Sequence, residues 1–126
     1  HRQWFRPFAP SILREEMLNW FEVDIDSPYM SFAIPFKEDR AKLVPAVFHL
    51  DGTGRLQTVT ESSNKWYYNF IKTFEFLTNV PILLNTSFND REPIVETPKD
   101  AIKTFLKTDI DFLYFRELNI LVKKNV

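Results

Sequence analysis

The sequence contains no cysteine, which excludes disulfide frameworks, thiolate metal sites and cysteine nucleophiles and leaves the redox compartment undefined. Only two histidines are present, His1 and His49, too few for a histidine-rich metal set. An excess of charge of one sign is missing as well: 16 Lys and Arg against 17 Asp and Glu give a net charge of -1. Such a chain has no global field to draw in a nucleic-acid backbone or an anionic membrane, so any anion site must be local. No apolar run approaches the roughly 20 residues needed to cross a bilayer, and the first residues are polar and aromatic where a signal peptide would be apolar. A soluble, cytoplasmic protein without membrane or nucleic-acid partners is expected. Glycine is the last scarcity. Two glycines occur in the whole chain, both within Leu50-Asp51-Gly52-Thr53-Gly54-Arg55.

What is abundant is core material. Of 126 residues 44% are hydrophobic, and 13 Phe, 4 Tyr and 3 Trp are among them; each ring buries roughly 150–250 Å². Length and composition fit one domain spanning residues 1–126, with no repeat, low-complexity tract or linker. The chain opens without Met at His1-Arg2-Gln3-Trp4-Phe5-Arg6, and this beginning inside a patterned segment predicts a fragment of a longer protein.

Ser11 is a good N-cap, and Leu13, Met17, Trp20 and Phe21 recur at helical spacing, predicting a helix over 12–21. Tyr29 to Ile34 and Val44 to Leu50 read as strands joined by an exposed charged loop from Lys37 to Lys42, and Arg55 to Thr60 as a partly buried strand. Trp66, Phe70, Phe74 and Leu77, with Tyr67 and Ile71 beside them, trace an apolar stripe that predicts a helix from Lys65, capped by Ser63 or Asn64. Val80 to Leu84 is short and wholly apolar, as in a central strand buried on both faces. Thr97-Pro98-Lys99-Asp100 opens another helix with Ala101, Ile102, Phe105 and Leu106 inward. Phe112 to Phe115 and Leu118 to Val122 are the last strands. Strands and helices alternate in part, which predicts an α/β (α+β) fold: a twisted, open mixed sheet with helices packed on it.

Two clusters carry chemistry. In the first, Gly52, Thr53 and Gly54 followed by Arg55 fit either an anion-binding turn, with open backbone amides and a guanidinium fork, or an ordinary hairpin between two strands, which Asp-Gly favours. In the second, Asn85-Thr86-Ser87-Phe88-Asn89 follows a buried strand, where open α/β sheets bind ligands. Asn85, Thr86 and Ser87 there either hold phosphate, ribose or carbonyl oxygens or satisfy their own backbone. Arg2 and Arg6, around Trp4 and Phe5, either clamp an anion or pack over the rings. His49 stands alone near the glycine turn and reads as structural. Asp90, Glu92, Asp109 and Asp111 read as solvated or capping groups, and no metal site is expected in this chain.

Three ordered segments, Arg2 to Ser11 (RQWFRPFAPS), Asp51 to Val59 (DGTGRLQTV) and Val80 to Asn89 (VPILLNTSFN), followed by Glu92-Pro93-Ile94-Val95, resemble the C-terminal domain of O-carbamoyltransferases of the NodU/TobZ/CmcH type. The resemblance implies a YrdC-like domain joined in the complete enzyme to an N-terminal actin-like domain that binds iron or another metal. It implies that this domain binds carbamoyl phosphate and ATP, with Mg²⁺ on the nucleotide, and forms carbamoyladenylate. The partner domain then transfers the carbamoyl group to a hydroxyl of a sugar or natural product. Carried over by motif, Arg6, Arg55 and Ser87 are the catalytic contacts, with Arg2, Gly52, Thr53, Gly54, Asn85 and Thr86 around them. A homodimer is compatible with it. The alternative is a non-catalytic nucleotide- or RNA-binding module of the same fold. Relatives carry a glycine before Glu-Pro where this chain reads Asn89-Asp90-Arg91, so a differently shaped loop is expected there.

Overall fold

The computed structural model describes residues 8–124. They fall into two compact units that meet in sequence between Thr86 and Ser87. Both combine small open sheets with helices, so the fold is mixed α/β.

In the larger unit three strands form the main sheet: β1 (Ala9–Leu13), β4 (Gln57–Val59) and β5 (Ile82–Asn85), in the order β4-β1-β5. The middle strand β1 runs parallel to β4, with Ser11 opposite Gln57, and antiparallel to β5, with Ala9 opposite Asn85. All five β1 residues are buried. This corrects the predicted helix over 12–21. Leu13, Met17, Trp20 and Phe21 are buried as their spacing requires, but Leu13 closes the strand. The chain then turns through a 3-10 segment (Arg14–Glu16) into α1, a single turn over Met17–Trp20. Five consecutive buried residues cannot share one face of a helix, whereas a middle strand covered on both sides accepts them.

Alternation along β1 divides the unit into two cores. On one side Ile12, Leu56 and Ile82 pack with Met17, Trp20, Phe21, Ile34, Phe36, Ala41 and Val47. On the other, Leu13 and Val59 receive Ile71 of α3 (Lys65–Thr78). Burying such aliphatic side chains contributes roughly 1.5–3 kcal/mol each. Asn64 caps α3 by accepting the Tyr67 N–H, and Asn79 ends it in the left-handed region at φ 59°. The predicted stripe is only partly inward: Trp66, Phe70 and Leu77 are exposed, and Ile71, Tyr67 and Tyr68 face the sheet instead. Three short strands offer too little surface to cover the whole stripe.

The second sheet pairs β2 (Ala33–Pro35) with β3 (Thr53–Arg55), Ile34 opposite Gly54. The strand predicted over 44–50 is replaced by a 3-10 turn at Pro45–Val47, since Pro45 cannot donate to a ladder. Part of the predicted charged loop is helical, as α2 (Glu38–Ala41). β5 lies at the edge of its sheet, with Leu84 exposed, and not at the centre as expected.

The smaller unit contains α4 (Pro98–Lys107), capped by Thr97, and a hairpin of β6 (Phe112–Phe115) and β7 (Ile120–Lys123). Ala101, Thr104 and Phe105 are the buried side of α4, while Ile102 and Leu106, expected inside, are exposed. No helix among the described residues is long and apolar enough to cross a membrane.

Gly54 tests the packing directly. A Cβ there would stand 2.4 Å from the Phe36 ring, and that ring is held against Phe21 with centroids 4.1 Å apart. Gly54→Ala should cost about 1–3 kcal/mol, the usual range for overpacking, measured by chemical denaturation. Much of the loss should be recovered when Phe36 is shortened to Leu in the same chain.

Candidate functional site

The glycine turn is built by its own hydrogen bonds. The His49 N–H donates to Thr53 O at 2.8 Å, and the Gly52 N–H returns to His49 O at 3.0 Å, with Gly52 at φ 85°. The Asp51 carboxylate accepts the Thr53 N–H at 3.0 Å and the Thr53 hydroxyl at 2.7 Å, which hold it below the usual carboxylate range. Two amides of the turn therefore already have partners. Gly52 supplies a left-handed backbone and Gly54 makes room for Phe36. The turn does not join two adjacent strands, because β3 pairs with β2 from earlier in the chain. What the turn leaves to solvent is Arg55, exposed at the end of β3 and in no ion pair with another described residue.

His49 is tied to the same turn. Thr53 has already given its hydroxyl hydrogen to Asp51, so at 3.3 Å from His49 Nδ1 its oxygen accepts, and the ring carries its proton on Nδ1. Nε2 is buried without a partner. Burial pushes the imidazole below its usual range; Asp51 opposes this and Arg55 adds to it.

One residue beyond Leu56, which is fully buried, the chain enters β4 at Gln57, and here three polar side chains meet across the sheet on the side that faces α3. The Ser11 hydroxyl donates to Gln57 Oε1 at 2.9 Å. Asn85 Nδ2 donates to Ser11 Oγ at 3.0 Å and to Gln57 Oε1 at 2.9 Å. Gln57 Nε2 donates to the Pro28 carbonyl at 3.1 Å. Burial among these groups raises the Tyr67 phenol of α3 above its usual value, an effect that Ser11 partly opposes. Ser11 is fully buried, while Gln57 and Asn85 are half-buried and form the accessible edge of the cluster.

The predicted residues are thus distributed unevenly. Arg55, Gly52, Thr53 and Gly54 share one turn and strand, and Asn85 sits in the amide cluster of the same unit. Thr86 is exposed where β5 ends. Ser87 is the first residue of the smaller unit, exposed, with its hydroxyl donating to Asn89 Oδ1 at 2.6 Å. Asn89 Nδ2 in turn donates to Glu92 O at 2.9 Å, and the Val95 N–H to Phe88 O at 3.0 Å, which defines the loop where a different shape was expected. Arg2 and Arg6 lie outside the described residues. Ser11 and Gln57 were missed as site residues. Ser11 had been read as a helix cap, and a glutamine in a strand gives no sequence signal until its neighbours across the sheet are known.

The chain thus offers a ligand two polar features in its larger unit, an exposed arginine on β3 and a half-buried amide cluster across the main sheet. The comparisons with known proteins place it more narrowly. Residues 1–124 match the family model described as the carbamoyltransferase C-terminus, and the chain belongs to that family. It is 50% identical over 117 residues to nodulation protein NolNO of Sinorhizobium fredii, covering 89% of this chain and 17% of that protein. It is 46% identical over 116 residues to nodulation protein NolO of Bradyrhizobium diazoefficiens, covering 89% and 21%. Nodulation protein U of Azorhizobium caulinodans is 38% identical over 88 residues, covering 70% and 16%. The chain spans about a fifth of the length of the curated relatives it matches first.

The proximity of His49 and Arg55 is measurable. By NMR, His49 should titrate below the ordinary histidine value of about 6.5; Arg55→Ala should move it upward and Asp51→Asn further down. A depressed folded value means that the histidine's contribution to stability is present above the unfolded value and is lost as pH falls through the folded one. Stability should therefore fall below about pH 6.5, less steeply in the Arg55→Ala protein.

Proposed function

We propose that this chain is the carbamoyl-activating part of a longer O-carbamoyltransferase, taking carbamoyl phosphate and ATP to carbamoyladenylate. Water first releases phosphate from carbamoyl phosphate to leave carbamate. A carbamate oxygen then attacks the α-phosphorus of ATP, and the bond to pyrophosphate breaks. The remainder of the protein, an actin-like metal-binding domain by the resemblance, moves the carbamoyl group onto a hydroxyl of a sugar or natural product and frees AMP.

The observation that carries this reading is Arg55, an exposed guanidinium with no ion pair among the described residues. In a member of this family it is suited to phosphate oxygens, which two N–H groups of the fork hold together. As charge gathers on those oxygens in the transition state, a fixed cation nearby lowers the barrier and keeps attacking and leaving groups in line. With the Gly52 and Thr53 amides already bonded, the guanidinium supplies the anion contact and the turn supplies its rigidity. No three His, Asp or Glu side chains converge among the described residues, so in this reading Mg²⁺ arrives on the nucleotide's phosphates. The resemblance adds Arg6 and Ser87 as further contacts.

In the full-length protein, Arg55→Ala should lower carbamoyl-phosphate-dependent pyrophosphate release by about 10²–10³-fold, the usual cost of losing one donor to a developing oxyanion. Arg55→Lys should restore little, since an ammonium cannot make the two-pronged contact. Retained pyrophosphate release in Arg55→Ala overturns the role given to Arg55.

A further inference from the structure

The amide cluster has a fixed polarity, and this polarity bears on which ligand it can hold. The Pro28 carbonyl can only accept, so the side chain of Gln57 must present its nitrogen there. Pro28 is itself held in place because Ser27, next to it, is buried and hydrogen-bonded three times to Leu56 and Thr58: its N–H to Thr58 Oγ1 at 2.9 Å, its hydroxyl to Leu56 O at 2.9 Å, and its carbonyl from the Thr58 N–H at 2.9 Å. With the Gln57 nitrogen committed to Pro28, its oxygen faces Ser11 and Asn85. Asn85 must then turn its own nitrogen toward that oxygen. The remaining function of Asn85 is Oδ1, which accepts no hydrogen bond from another described residue.

We infer that Gln57, anchored on the Pro28 carbonyl, is a positioning residue that holds Asn85 as a hydrogen-bond acceptor, and that this acceptor selects a ligand bearing an N–H donor. Resting on the activation reading above, the donor is the amino group of the carbamoyl moiety. Acetyl phosphate has the same shape but puts a methyl group where the amino group stands. It would leave Oδ1 of Asn85 desolvated and unpaired, and sites built around a hydrogen bond reject analogues that lack it far more strongly than apolar pockets reject a missing methylene. The relay also accounts for a buried serine on the middle strand. Ser11 donates to Gln57 and accepts from Asn85, so it stabilises the same orientation from below.

The test compares carbamoyl phosphate with acetyl phosphate in ATP-dependent pyrophosphate release by the full-length protein, as the ratio of kcat/KM for the two. Wild type should favour carbamoyl phosphate strongly. Gln57→Leu frees Asn85 to rotate and should shrink that ratio at least about tenfold, mainly through a weaker KM for carbamoyl phosphate. Ser11→Ala keeps the Gln57 anchor and should shrink it less. A ratio that stays constant while both activities drop together in Gln57→Leu would make Gln57 merely structural and overturn the inference, as would a wild type that uses both substrates equally. A wild type with no carbamoyl-phosphate-dependent release overturns the activation reading and this inference with it; intact release with an unmoved ratio overturns the inference alone.

Discussion

The structure depends on the placement of β1 between two partners of opposite direction. Because Ala9–Leu13 pairs in parallel with β4 and antiparallel with β5, residues 57 and 85, remote in sequence, are brought to either side of residue 11. The same strand sends Ile12 into the aromatic core and Leu13 into the core beneath α3. Shifting its register by one residue would exchange these faces and drive Ser11 into the aromatic side. The energy that fixes the register is therefore the burial of Ile12 and Leu13, and the polar cluster inherits its geometry from that apolar packing.

Polar groups in such a position are costly unless each is satisfied. Here the buried hydroxyl of Ser11 both donates and accepts, and the two carboxamides spend their inward-facing groups on it and on one another. A cluster of this kind has few arrangements of its hydrogens, because one carbonyl, that of Pro28, accepts and cannot donate. Orientation at the edge of the sheet is set by a backbone group remote in sequence. The glycine turn follows a related logic: Asp51 and Thr53 satisfy the backbone locally, which leaves Arg55 free of that task.

Much of this was legible in the sequence. The cap at Asn64, one of the two candidates, the cap at Thr97 and the helices they start follow from residue types at single positions, and the last two strands follow from aromatic and aliphatic runs. Local chemistry sufficed because those elements are decided locally. The segment over 12–21 was not legible, since Leu13, Met17, Trp20 and Phe21 satisfy a helical period and a strand followed by one helical turn equally well. Only the presence of partners on both sides of Ala9–Leu13 separates the two. The outward stripe of α3 fails for a like reason: its spacing describes a helix with an apolar side but not how much sheet exists to cover it.

The candidate site divides in the same way. Arg55 could be singled out from its place after two rare glycines, and Asn85 from its place after an apolar strand. Gln57 and Ser11 could not, because each is an unremarkable residue until the sheet sets them opposite one another. Charged groups announce themselves in a sequence by composition, whereas neutral amides acquire meaning only from the partner that fixes their orientation. The charged half of the proposed site is therefore visible before folding, and the neutral half, whose orientation depends on Gln57 and Ser11, is the part that tertiary structure has to supply.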